Sequence, residues 1–182
     1  MSGFPSLKLR ATLLGYSALW LLGLPAALLY LRKRAKKDPD YGAHLGERFG
    51  RHAPWPEGPR TIWVHAVSVG EVIAARPLVD GLLARHPDRP VLVTTITPTG
   101  SERVRAFWGD RVHHCYLPYD LRSMVRRFLD RARPALAIVV ETEIWPNLYA
   151  ECGRRGIPLL MVNARLSPRS LRGYRPVRAL TR

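Results

Sequence analysis

Two short stretches place carboxylates where a folded chain would normally put neutral turn residues. In "VHAVSVGE", residues 64 to 71, an apolar run passes through Ser68 and Gly70 and ends at Glu71, just before a helical pattern. In "VVETEIWPN", residues 139 to 147, a second apolar run closes on Glu141 and Glu143. A carboxylate in a first helical turn also interacts favourably with the helix dipole, so Glu71 has a purely structural explanation beside a catalytic one. Two carboxylates in one buried place raise each other's pKa. A base at Glu71 with an acid or orienting carboxylate at Glu141 would suit activation of a hydroxyl group. Glu141 and Glu143, two apart in an extended chain, are expected on one side. Of the pair, Glu141 reads as the site residue, and Glu143 as a charge serving the helix that opens at Trp145 and Pro146.

A third stretch, "TPTG" at residues 97 to 100, offers the hydroxyls of Thr97 and Thr99 and the close backbone of Gly100 ahead of another helix. Such a turn favours phosphate or sugar oxygens. It lacks the lysine of a Walker A loop, so ATP hydrolysis is not indicated. Ser68 and Gly70 join these residues as candidates for binding an acceptor. Ser68 lies near His65 in sequence, but no GxSxG elbow surrounds it. His113 and His114 are adjacent, point apart on a strand and make no metal pair. Cys115 and Cys152 form no CxxC motif, so neither a zinc site nor a disulfide framework is supported.

These residues need a scaffold, and the hydrophobic pattern supplies one. Strands are predicted over 61–67, 91–96, 114–118, 135–140 and 158–163, with helices over 71–86, 99–109, 121–132 and 146–156 between them. Alternation of this kind implies βαβ crossovers and a parallel sheet covered on both faces. The expected class is α/β, Rossmann-like. Ligands in such sheets sit at the carboxyl ends of the strands, where all the residues above fall.

The chain has 182 residues, 47% of them hydrophobic, and a formal net charge of +15. That excludes a disordered chain and points to polyanionic partners. Residues 11 to 31 carry no charge, and "RKRAKK" at 32 to 37 follows directly, five of six basic. About 20 apolar residues span a bilayer core. The predicted anchor and its basic flank occupy 1–37, with the C-terminal side kept in the cytoplasm by the positive charges. A cleaved signal peptide and a buried soluble helix fit less well, given the basic cluster and the helix-weakening Gly15, Gly23 and Pro25. Residues 38–59 read as a membrane-proximal linker with a short helix near Tyr41–Phe49, and 60–182 as the Rossmann-like domain. The tail from Asn163 holds six arginines and no acid, Arg165 first among them. It reads as a solvated face or as one that meets anionic lipid or a phosphorylated glycolipid.

Taken in series, "HAVSVGE", "TTITPTGSERV", "YLPYDL", "ETEIWPN" and "NARLSPRS" closely resemble the family of 3-deoxy-D-manno-octulosonic acid (Kdo) transferases. The apolar span and "GERFG" resemble that family's N-terminus, so the likeness covers nearly the whole chain. It implies an inverting glycosyltransferase of GT-B architecture, anchored at the cytoplasmic face of the cell inner membrane. The reaction implied is transfer of Kdo from CMP-Kdo to a lipid A precursor (lipid IVA) in lipopolysaccharide synthesis, with no metal or other cofactor. By motif, Glu71 would be the general base, held ionised by its helix N-terminus, and Glu141 the second catalytic-site carboxylate. Ser68, Gly70, Thr97, Thr99, Gly100 and Arg165 would line the acceptor. The family chain is roughly twice as long, so this sequence is expected to be the N-terminal acceptor half. Without the CMP-sugar domain it is expected to be inactive, since half of the entropic trap is absent. Two alternatives remain: another GT-B glycosyltransferase of the envelope, and a basic membrane-tethered module for anionic lipid or nucleic acid. The module reading explains the charge but not the acidic strand ends, and on the family reading no nucleic acid is expected as a partner.

Overall fold

The computed structural model describes residues 7–52, 55 and 58–164. An apolar helix, α1 (Leu7–Ala35), precedes an alternating series: β1 (Thr61–His65), α2 (Val69–Arg85), β2 (Val91–Thr95), α3 (Pro98–Trp108), β3 (His113–Tyr116), α4 (Arg122–Ala132), β4 (Pro134–Val140), α5 (Pro146–Arg154) and β5 (Leu159–Val162). The strands form one parallel sheet in the order β3-β2-β1-β4-β5. The expected α/β, Rossmann-like sheet with helices on both faces is what the chain adopts, and its elements fall within a few residues of their predicted ends.

Alternation along β1 divides the core in two. Ile62, Val64 and Ala66 face α2 and α3, where Val72, Ala75, Val79, Val104 and Trp108 close a first cluster. Trp63 faces α4 and α5, where Phe128, Leu129, Leu148 and Cys152 close the second. A central parallel strand buried on both faces needs apolar side chains on both, and β1 is buried at every position, with Ile62, Trp63 and Val64 at its centre. Each face therefore holds its own pair of helices, and each crossover returns the chain to the same end of the sheet.

Residues 38–59 do more than link. They contain two 3₁₀ turns, Pro39–Tyr41 and Glu47–Phe49, where one short helix was expected. The second turn seals the exposed edge of β3. Glu47 Oε2 accepts the Tyr116 N–H at 2.8 Å, and His52 Nε2 donates to the Tyr116 carbonyl at 3.2 Å. An edge strand leaves such groups unpaired, and covering them removes both a desolvation cost and a template for aggregation. Arg48 is only 3% exposed. Its guanidinium lies 4.3 Å from the centre of the Tyr116 ring and donates to the Ile96 carbonyl at 2.9 Å. Burial lowers its pKa, and the neighbouring Tyr119, Tyr116 and Glu47 oppose that.

Gly50 ends this turn at φ +72°, and a Cβ there would meet the Met124 carbonyl oxygen at 2.5 Å. Gly50→Ala is therefore expected to destabilise the domain by more than about 2 kcal/mol, since the left-handed backbone alone costs about 1–2 kcal/mol. Gly81, inside α2, has nothing within 4 Å of an added Cβ. Gly81→Ala should stabilise by about 0.5–1 kcal/mol. Denaturant unfolding of the two variants, followed by circular dichroism, checks the opposite signs.

Candidate active site at the carboxyl ends of β1 and β4

Chain order reverses between β1 and β4: β2 and β3 are added on one side of β1, β4 and β5 on the other. In open α/β sheets the crevice at such a reversal is the ligand site. Glu71 follows β1 and Glu141 follows β4, so the two nominated carboxylates flank the switch point.

Glu71 is the third residue of α2 and is 7% exposed. Its Oε2 accepts the Val67 N–H at 2.7 Å, and its Oε1 accepts the Ser68 hydroxyl at 3.0 Å. The side chain thus reaches back over the helix start as a capping glutamate does. Ser68, the N-cap, makes no side-chain bond to the helix backbone and turns its hydroxyl to Glu71 instead. The helix start was expected to keep the Glu71 pKa low. Its pKa is instead raised. Burial is the largest cause, hydrogen bonding from the Val67 N–H and from the Ser68 hydroxyl and N–H pulls it back, and the Glu141 charge pushes it further up. Burial wins because a carboxylate removed from water loses more solvation than these donors replace.

Glu141 does not lie in an extended chain. Its φ is +64°, a left-handed conformation uncommon for a residue with a side chain. Its N–H still donates to the Val162 carbonyl at 2.8 Å, so β4 stays paired with β5 up to the point of reversal. Asn163, at the end of β5, has φ +54° as well. Two neighbouring strands therefore both turn sharply at the crevice.

Glu143 takes a different place from the one expected. No acidic residue lies in the first turn of α5. The Asn147 and Leu148 N–H groups there donate to Asp120, at 3.0 Å to Oδ2 and 2.9 Å to Oδ1. Asp120 is the capping carboxylate of α5, reaching across from the end of β3. Its own pKa is pushed up to about 6 by burial, against the two backbone donors. Glu143 is left to the acidic group: burial raises its pKa, and the charges of Glu71 and Glu141 raise it further. Three carboxylates therefore share one electrostatic neighbourhood. The sequence shows that α5 opens on Trp145 and Pro146 with no capping side chain of its own, but nothing local in it points to Asp120 as the partner.

The other candidates divide. Thr97 caps α3, its Oγ1 accepting the Gly100 N–H at 3.1 Å, so these two groups satisfy each other. Gly100 is packed tightly, with Thr97 Oγ1 3.0 Å from where its Cβ would stand. Thr99 is exposed and lines a groove of ≈ 430 Å³ with Val69, Glu102, Arg103 and Ala106, between the starts of α2 and α3. Gly70 is exposed, and an added Cβ would meet only Ser68 Oγ at 3.9 Å, so the space beside Glu71 is open. Arg165 lies outside the described residues. His65 is fully buried and its ring is engaged with Thr94, Nδ1 lying 2.9 Å from the Thr94 hydroxyl, and burial lowers its pKa to about 4. His114 bonds Thr95 Oγ1 at 3.0 Å and is likewise lowered to about 4, mainly by burial.

A parallel Rossmann-like sheet that gathers carboxylates at its switch point defines an α/β domain built to hold a ligand at its strand ends. Within that class the chain belongs to the 3-deoxy-D-manno-octulosonic-acid transferase (kdotransferase) family, whose model matches residues 43–182. The chain is similar to the 3-deoxy-D-manno-octulosonic acid transferase of Haemophilus influenzae, with 45% identity over 90% of this chain and 39% of that protein. The Bordetella pertussis protein of the same name is 39% identical over 87% of this chain and 39% of its own length. The Rickettsia felis one is 39% identical over 62% and 24%. The chain thus spans about two fifths of the length of the first two relatives.

The geometry separates two substitutions at Glu71. In Glu71→Gln the amide oxygen can keep one donor, and Ser68 can turn to accept from the amide nitrogen. A loss of less than about 1 kcal/mol is expected, within the range of one exposed cap interaction. Glu71→Ala leaves the Val67 N–H without its acceptor and should cost about 1–3 kcal/mol. Thermal unfolding of both variants checks the order.

Proposed function

We propose that this chain is the acceptor-binding, base-bearing half of an inverting GT-B glycosyltransferase. The enzyme transfers Kdo from CMP-Kdo to a lipid A precursor such as lipid IVA, at the cytoplasmic face of the inner membrane. The observation that carries the reading is Glu71: a buried carboxylate with a raised pKa, beside Glu141 and Glu143, at the switch point of a family member's sheet.

In this reading an acceptor hydroxyl enters the open space beside Gly70. Its oxygen attacks the anomeric carbon of Kdo from the face opposite CMP, and the proton passes to Glu71. The anomeric C–O bond to CMP breaks, and CMP leaves with that electron pair on its phosphate. CMP is a good leaving group without a strong acid, so a single base suffices on the protein side. Raising a carboxylate toward the working pH makes it a better base while it stays ionised. Glu141 acts on Glu71 through charge and borders the reacting centre. Thr99 and the basic side chain of Arg103 offer the acceptor's phosphate a hydroxyl and a cation along the groove between α2 and α3. In this reading CMP-Kdo is presented to the site by the second, donor-binding domain of a GT-B enzyme.

The test is turnover of CMP-Kdo with a lipid A precursor by a full-length enzyme carrying this domain. Glu71→Gln should lower kcat by about 10²–10⁴-fold with the fold intact. A variant within about threefold of wild type, far below that general-base range, would return Glu71 to helix capping alone. The base must be ionised, so the rate falls as pH drops through the raised Glu71 pKa. Glu141→Gln removes the charge that pushes the Glu71 pKa up. It should move the acid limb of the pH profile to lower pH as well as slow transfer, and an unmoved limb would detach Glu141 from Glu71.

A further inference from the structure

The helix α1 is long and apolar enough to cross a membrane. Yet it does not stand apart from the domain. Leu9, Leu13, Tyr16, Ser17, Trp20, Leu24, Leu28 and Leu31 are less exposed than their neighbours, at the three- and four-residue spacing of a single helical face. That face carries the polar contacts. Asn147 Nδ2 donates to Ser17 Oγ at 3.1 Å. The Trp20 indole lies 5.5 Å from the Tyr119 ring and donates to the Tyr16 hydroxyl at 2.7 Å. The Tyr16 hydroxyl in turn bonds Asp120. The cap of α5 and the loop after β3 are thus joined to the middle of α1.

A crossing helix cannot keep these contacts. Arg32 begins the basic cluster and would sit at the cytoplasmic interface. Trp20 and Tyr16 would then lie roughly 18 and 24 Å farther along the axis, at about 1.5 Å per residue. In a hydrocarbon core of about 30 Å that depth belongs to the far half of the bilayer. Asp120, Asn147 and the first turn of α5 would have to follow them there, where polar loops are not tolerated.

From this we infer that α1 lies in the plane of the membrane surface instead of crossing it, seated on the Asp120–Asn147 corner of the domain, with its opposite face in the lipid. That opposite face is strongly apolar: Leu7, Leu14, Leu19, Leu21, Leu22 and Leu29 are each 60% exposed or more. Charge agrees with the occupant. Lys8 and Arg10 stand at one end of the uncharged stretch, and Arg32, Lys33 and Arg34 at the other. In the plane, both ends meet anionic headgroups on one side. A consequence concerns the site. The loop that begins at Glu141 ends at Asn147, which bonds Ser17 of the helix, so the carboxylates would stand near the level of the headgroups and meet a lipid acceptor laterally. This last step rests on the proposed transfer reaction, whereas the lie of the helix does not.

The experiment is sidedness labelling of the full-length protein with a membrane-impermeant maleimide. Ser2→Cys and Lys37→Cys are compared in spheroplasts and inverted membrane vesicles. Cys115 and Cys152 are buried, and any other cysteine of the full-length protein is first replaced by Ser. The expected result is that both positions label from the same side and to a similar extent. Labelling of the two from opposite sides overturns the inference and establishes a crossing helix. As an independent check, a Ser17→Cys, Asn147→Cys pair should form a disulfide in native membranes. Its absence in protein that still binds membranes would mean the helix is not seated. Neither readout uses transfer activity, so a wrong topology and a wrong reaction are told apart.

Discussion

Parallel pairing of β1 with β2 on one side and β4 on the other is the constraint on which the rest of the molecule hangs. Val64 stands opposite Val93 in one neighbour and Ile138 in the other. A strand buried on both faces and paired on both edges has no freedom of register, because a one-residue slip would exchange its two cores. That pairing sends the first two crossovers to one side of β1 and the later strands to the other. It thereby opens a crevice between the turn at Glu71 and the turn at Glu141. The site is a consequence of strand order before it is a consequence of any side chain.

Within the crevice, two effects oppose each other at Glu71. Burial disfavours the ionised form, and the Val67 N–H and Ser68 hydroxyl favour it. The same bonds that tie down the start of α2 therefore also moderate a carboxylate that burial would otherwise neutralise. Capping and catalysis need not be rival explanations of one residue, because the cap fixes the direction of the carboxylate and the burial adjusts its basicity. Left-handed backbone at Glu141 is of a kind with this. Such conformations cost of order 1–3 kcal/mol and persist where surrounding structure holds them, here the last bond from β4 to β5.

Asp120 plays the corresponding part on the other face of the sheet. It holds the first two free N–H groups of α5, and through Tyr16 it reaches α1. A single carboxyl therefore links the loop after β3, the helix that follows the Glu141 turn, and the apolar helix at the N-terminus.

Much of this was legible in the sequence, and the boundary has a physical cause. Strands and helices were readable because hydrophobic periodicity is local: "VLVTTI" and "LRSMVRRFLDRA" declare their burial without reference to the rest of the chain. The acidic strand ends were readable because a charge that closes an apolar run is conspicuous, and the family motifs confirmed which chain they belong to. The order of the strands could not be read, nor that Glu143 joins Glu71, since neighbours across a sheet are set by pairing between distant segments. The capping of α5 by Asp120 and the sealing of β3 by Glu47 and His52 were hidden for the same reason, each joining residues that lie 20 or more positions apart in sequence. The sequence by itself determined the apolarity of α1, the α/β class and the identities of the carboxylates. Only the tertiary structure decided their company and the sign of the Glu71 pKa shift, because desolvation depends on what surrounds a group in space.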